Sequence, residues 1–515
     1  MEEKDMKKLK IVSILLTLIL LLGALMSCGG GKDGDETQAG GLTGDTSGDL
    51  TVSTDLSETE RNALNILGER DLGGETITFY LRSYGGIWDV SSLYAETILS
   101  DAVNDAVYER NETLKQQYNF DIQMQESLSQ SYPTRIINLV LSGDPGFDVL
   151  TAGGYDMTKI AVQGVLRDLY QVDGLSLENE WWNTTLNSQM SIANTLYYMS
   201  GDLMCEDNMA VRCMFFNKTL ASNHGFAPEM IYDLAEDGKW TMEAMFNMAS
   251  KCYSDKDQVD GKSEDDMFGF VAQKTSAPYV LMTAAGIRVT EKDANDIPVL
   301  TLGQGNDTDI IDQISAWFYR DNSVFLEGDG LVHKAFKSNS ALFMTEVLGT
   351  VASMRNWDVK FGILPMPKYS EDQITYNHYA DGNCLNLIAI PTGNNGKIDK
   401  IAFVLEAMCI ESANTLNPAF YDRCLRGRYS YDMESAEMID IILGSMFIEN
   451  NNLFRGEKEN EGWGLMQKEI ISAVSEGRSI APVIASYKTS TTTKINDTAT
   501  RLKDISIAQS YSRGA

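Results

Sequence analysis

Residues 75–151 alternate two patterns, and that alternation restricts the possible folds more than any other feature of the chain. Glu75-Thr76-Ile77-Thr78-Phe79-Tyr80 is rich in β-branched and aromatic residues and follows Gly73-Gly74, which reads as a turn leading into a strand. A helix is predicted to run to about Tyr118, with Leu99, Val103, Val107, Leu114 and Tyr118 on one face. A strand over 120–124, a helix over 134–141, the turn Ser142-Gly143-Asp144-Pro145-Gly146 and a strand over 147–151 follow. Strands joined through helices become parallel neighbours by right-handed crossovers, so this stretch is one α/β lobe on a mainly parallel sheet.

Beyond it the material changes. Residues 196–199 and 214–216 read as strands flanking the polar segment 201–208, and a helix over 241–251 opens on a Thr cap. Helices are predicted at 310–319 and 331–338, and strands at 340–345, 359–365 and 384–390. The C-terminal third is mostly helical: Ile398, Ile401, Leu405 and Met408 mark one amphipathic helix, and 435–449 and 465–477 mark others. A body of this length exceeds one simple core and suits two lobes joined by several chain crossings.

The N-terminus carries a different message. Lys7, Lys8 and Lys10 precede an apolar run from Ile11 to Met26, which is short for a membrane span and has the order of a secretory signal peptide. Leu25-Met26-Ser27-Cys28 resembles a bacterial lipobox, which makes residues 1–27 a signal peptide and Cys28 the lipidated first residue of an extracytoplasmic chain. Residues 28–70 are read as a tether, because from Gly29 to about Glu60 they are largely Gly, Asp, Thr and Ser, too poor in apolar surface to order themselves. About thirty flexible residues reach about 30 Å.

Composition excludes several functions. A net charge of −31 argues against nucleic acid and other polyanions. Six Cys remain beyond Cys28 with no C-x-x-C spacing, which suits buried thiols rather than a disulfide framework or a metal knuckle. His224, His333 and His378 are too scattered for H-E-x-x-H and read as packing or surface residues. Gly261-Lys262-Ser263 lacks the first Gly of a phosphate loop, since Lys256 stands there, and Gly303-x-Gly305 lacks its third Gly at Thr308. In the acidic run Asp255 to Asp266, taking Gly261 as the sixth residue of a calcium loop puts Lys256 first and Gln258 third, so the run reads as a solvated loop. The residues therefore call for no cofactor and no metal, and no catalytic constellation stands out.

Asp105-Ala106-Val107-Tyr108-Glu109-Arg110-Asn111 with Tyr118-Asn119-Phe120, then Phe147-Asp148-Val149-Leu150, Phe215-Phe216-Asn217-Lys218, Gly238-Lys239-Trp240-Thr241, Ala341-Leu342-Phe343-Met344 and Phe361-Gly362-Ile363-Leu364-Pro365-Met366-Pro367, occur in this order over some 400 residues. In that order the body resembles the extracellular solute-binding lipoproteins, family 1, of ATP-driven sugar importers. The resemblance implies a non-enzymatic receptor with a type II clamshell fold. Residues 71–200 with 340–385 would form lobe one and residues 210–338 with 388–512 lobe two. It further implies a monomer that holds an oligosaccharide in the cleft and delivers it to a membrane permease. A peptide or polyol receptor, a sensor-coupled receptor and a surface glycan hydrolase are the alternatives.

Sugars offer apolar C–H faces and hydroxyl rims, so their sites pair flat aromatics with planar polar groups, beyond the carboxyl ends of strands in open α/β sheets. On this outline the ligand-binding candidates are Tyr84 and Trp88 after the first strand and Tyr155 and Asp156 after the third. Asp207 and Asn208 lie between the lobes, Glu346 follows a return strand, and Asp381 and Asn383 precede the last crossing. Arg82 and Glu206 are their neighbours, while Trp181, Trp182, Trp317 and Trp357 read as packing residues.

Overall fold

The computed structural model describes residues 61–84, 92–129, 131–354, 356–394, 396–420, 433–454 and 463–513. The signal peptide, Cys28, most of the tether and Trp88 lie outside the described residues.

The predicted alternation is present in the first lobe. Strand β1 (Glu75–Arg82) is followed by α1 (Ala102–Tyr118), β2 (Phe120–Ser127), α2 (Tyr132–Leu141), β3 (Val149–Gly153) and α3 (Gly154–Ala161). Helix α1 starts where the Asp101 side chain accepts from the Asn104 amide and stops at Asn119, whose φ of 52° ends the helix in the left-handed region. Leu99 lies before that cap and is exposed rather than on the buried face. β1 pairs in parallel with both β2 (Ile77 opposite Ile122) and β3 (Phe79 opposite Val149), as helical crossovers require.

The second lobe is built on β4 (Arg212–Asn217), α4 (Met242–Cys252), β5 (Phe268–Gln273), the hairpin β6 (Thr290–Lys292) and β7 (Pro298–Leu300), α5 (Asp307–Tyr319), β8 (Val324–Glu327), α6 (Asp329–Lys337), β9 (Ala341–Val347) and β10 (Phe361–Leu364). Thr241 caps α4 by accepting from the Ala244 amide. The sheet order is β10-β4-β9-β5-β8, with β5 parallel to both β8 and β9. Strand β11 (His378–Tyr379) then leads to β12 (Asn386–Ala389), which pairs antiparallel with β3 and gives the first sheet the order β12-β3-β1-β2.

These pairings correct the expected allocation of segments. β9 and β10, placed with lobe one in the 340–385 segment, belong to the second sheet, whereas β12 and the helix α7 (Ile398–Ser412) close the first lobe. The cause is burial: all seven residues of β9 are buried, so this strand needs a neighbour on each edge, and β4 and β5 supply them. Within residues 196–199 only Met199 pairs, in a single isolated bridge to Ile388, instead of a strand. Helix α8 (Met433–Gly444) ends earlier than expected, and β13 (Met446–Phe447) pairs with β11. The short helix α9 (Asn450–Leu453), α10 (Leu465–Ser475) and α11 (Ala481–Arg513) complete the chain.

The 33 residues of α11 span about 50 Å, and its two ends belong to different cores. Val483 and Ile484 pack in the core of the second lobe, Ile495, Ala499 and Leu502 in that of the first. Near its end the Ser506 hydroxyl donates to Asp168 at 2.6 Å. Between the anchors lie Thr489, Ser490, Thr491, Thr492 and Thr493, whose hydroxyls in part bond back to the preceding turn.

Trp181 and Trp182 are packing residues, as expected, and their partner is ionisable. Glu406 on α7 is 2% exposed and accepts from both indoles, at 2.5 and 2.8 Å, and from the Ser176 amide at 2.6 Å. Burial outweighs these donors and pushes its carboxyl from an ordinary 4.5 up to about 7. A raised folded-state value means that the folded chain binds the extra proton, so this group's contribution to stability is fullest below pH 4.5 and is lost as pH rises through about 7. Glu406→Gln should therefore remove part of the fall in unfolding free energy between those two pH values. Denaturant titrations giving parallel pH profiles for variant and wild type would contradict this.

Candidate functional site

The carboxyl ends of β1 and β3 meet the segment that crosses between the lobes, and most of the sequence-chosen residues gather there. The Tyr84 hydroxyl accepts from the Gly153 amide at 2.9 Å, and the Arg82 guanidinium lies 4.7 Å from the ring centroid. Tyr84 as a whole residue is 38% exposed, although burial of its hydroxyl pushes its pKa up to about 12. Asp156, in the first turn of α3, lies 3.7 Å from Arg82 and 3.3 Å from Lys159. Tyr155 reaches across to Asn452 on α9 with its hydroxyl 3.4 Å from Oδ1. The same Oδ1 accepts from the Gly382 amide at 2.9 Å, and the Asn383 amide donates to Asp381.

The contact is close because of glycine. A Cβ on Gly153 would stand 2.7 Å from the Tyr84 oxygen, and one on Gly154 would stand 2.4 Å from Leu453 and 3.0 Å from the Gly382 carbonyl. Gly153-Gly154 thus lets α9 and the crossing segment approach the end of β3.

Asp381 and Glu346 are brought together by a residue that the sequence reading missed. Arg212, at the start of β4, donates to Asp381 at 2.5 and 3.1 Å and to Glu346 Oε2 at 3.3 Å, with all three side chains buried. Burial alone would discharge Glu346, but His333 and Arg212 beside it outweigh burial and hold its carboxyl below the usual value. An arginine opening a strand carries no local pattern. The only sequence sign was two buried acids in need of a cation.

Asp207 and Asn208 lie elsewhere, in a separate cavity of about 420 Å³ with Trp182, Asp202 and Asn417. Asp207 accepts from Ser200 at 2.5 Å and from the Asn208 amide at 2.8 Å, and burial raises it to about 6. Glu206 is bound by the amide and hydroxyl of Ser92. The acidic loop also differs from expectation: Asp266 is fully buried and accepts from the Lys256 and Ser263 amides, so only part of the run is solvated.

Three further groups beside the site went unnoticed in the sequence. Asn451 Oδ1, Asn452 Nδ2 and Trp463 Nε1 are buried without a hydrogen-bond partner among the described residues. The consecutive Asn450-Asn451-Asn452 was the available signal, because a run of amides buried at a crossing is costly unless something meets it.

No protein-family model matches the chain, and no curated protein matches it either. Among solved structures, a cyclo/maltodextrin-binding protein complexed with maltotetraose is similar over 84% of this chain and 97% of its own, at 12% identity and a TM-score of 0.52. The galacto-N-biose/lacto-N-biose I-binding protein of an ABC transporter from Bifidobacterium longum matches over 83% and 98%, at 10% identity and 0.52. UspC of M. tuberculosis matches over 81% and 100%, at 12% identity and 0.52. The chain has the two-lobe fold of the solute-binding proteins. In that fold the residues gathered around Tyr84, Gly153 and Asp381 stand where the chain passes from one lobe to the other.

Arg212 makes this junction testable. Replacing it with Met leaves two buried carboxylates without their cation, which costs about 3–5 kcal/mol. Urea unfolding of Arg212→Met should show a loss of that order, and Asp381→Asn on the Met background should recover part of it. A loss within the range of an ordinary surface substitution would mean that the cluster does not hold the crossing.

Proposed function

We propose that the protein is a lipid-anchored, extracytoplasmic receptor that binds an oligosaccharide between its lobes and delivers it to the permease of an ATP-driven importer. The observation that carries this reading is the meeting, within a solute-binding fold, of the partly exposed Tyr84 with Asp156, the exposed Asn383 and Asn452 at the end of β3. Flat rings take the C–H faces of a sugar and planar polar groups take its hydroxyls. Trp88, in the adjoining segment, is a second stacking candidate. Two of the solved structures named above hold maltotetraose and lacto-N-biose, which supports the ligand class assigned here. Asp381 and Glu346 serve through Arg212, holding the crossing segment rather than facing the sugar.

A ligand that closes two lobes must contact the closed state better than the open one. Screening the body lacking residues 1–28 against an oligosaccharide panel should find a ligand that compacts it in small-angle scattering. Tyr84→Ala or Trp88→Ala should then weaken binding by about 1–3 kcal/mol, the scale of one stacked aromatic with its apolar contact. Wild-type affinity in both would remove the site assignment, and turnover of the sugar by the purified body would remove the receptor reading.

The anchor rests on Cys28. No helix among the described residues is long and apolar enough to cross a membrane. The full chain should partition with membranes and Cys28→Ala should release it; association unchanged in that variant would place the anchor elsewhere.

A further inference from the structure

We propose that Asp329, His333 and Glu346, with Gln273 as a fourth ligand, form a site for one divalent transition-metal ion of the zinc class on the second lobe. This site does not depend on the ligand assigned above. Asp329 and His333 stand one turn apart on α6, so their side chains share a face. Glu346 comes from β9, which pairs with β5, and Gln273 ends β5. Three rigid elements therefore aim three ligand atoms at one point, with the Gln273 amide beside them.

The distances fit a metal polyhedron. His333 Nε2 lies 3.2 Å from Asp329 Oδ1 and 3.6 Å from Glu346 Oε1. The three ligand atoms lie within 4.8 Å of one another. A tetrahedron with bonds of about 2.0–2.1 Å has edges of about 3.3–3.4 Å, within the range spanned by the first two distances. His333 Nε2 is buried and pairs with both carboxylates, so a dication entering between the three groups would take the place of the imidazolium proton. The Gln273 amide reaches both carboxylates, at 2.9 Å from Asp329 Oδ1. Turned over, that amide presents its oxygen in the same place, an exchange that leaves the packing unchanged.

Charge supports the assignment. Glu346 divides its oxygens: Oε2 serves Arg212 and the Val347 amide, while Oε1 faces the site. The Arg212 charge is met by Asp381 at 2.5 Å, so a dication would meet two carboxylates and a neutral imidazole. The Asp329 side chain is largely exposed, which gives the ion a path in. Imidazole, amide and carboxylate donors together favour zinc, nickel or cobalt over calcium.

The test is calorimetry with zinc chloride on chelator-stripped protein, together with the visible spectrum after cobalt loading. One saturable zinc per chain, a raised melting temperature and a tetrahedral cobalt spectrum are expected. Asp329→Asn and His333→Gln should each weaken binding by about tenfold or more. Asp329 is exposed, so its variant leaves the core intact, and Asp257→Asn in the other carboxylate cluster should bind as wild type does. Absence of saturable binding, wild-type affinity in both variants, or loss confined to Asp257→Asn would overturn the proposal.

Discussion

The buried guanidinium of Arg212 is met by two buried carboxylates, and its pairing with Asp381 and Glu346 is the constraint on which the junction of this molecule depends. Glu346 belongs to the central strand of the second sheet and Asp381 to the segment returning to the first. One charge therefore fixes the crossing against the lobe it is leaving. The consequences pass down the backbone. Asp381 also accepts from the Asn383 amide, and Gly382 between them donates to Asn452, so the polar edge of the site takes its position from Arg212.

On the other side the same edge is set by the absence of side chains. Gly153 and Gly154 end β3 and open α3, and the Tyr84 oxygen, Leu453 and the Gly382 carbonyl occupy the space that Cβ atoms would need. The arrangement separates two tasks. Buried acids hold the crossing, while Tyr84 and Asn383 beside them remain exposed.

The two lobes are tied together by α11, whose ends are anchored in both cores. The hairpin of β6 and β7 adds a second tie, because Lys292 donates to Ser191 at 2.8 Å and Asp296 binds the Asn194 amide. The Ser/Thr run in the middle of α11 is its least strongly helical part, since β-branched residues lose side-chain freedom there and hydroxyls compete for the backbone.

What the sequence determined by itself was local. Turn glycines, capping residues such as Asp101 and Thr241 and the alternation of strand and helix patterns act within a few residues, so β1, β2, β3, α1 and α4 were legible, as were Tyr84, Tyr155 and Asp156 at their ends. Which sheet a strand joins depends on partners far along the chain, and β9 and β12 went to sheets that no local pattern could name. The apolar stripe of α11 is interrupted by Thr and Ser because the helix changes cores midway, which hid its 33 residues. Arg212, the Asn450–Asn452 run, and the meeting of His333 with Asp329 and Glu346 were likewise decided only in three dimensions, since charge compensation and ligand convergence are relations between segments, whereas a sequence pattern records relations along one.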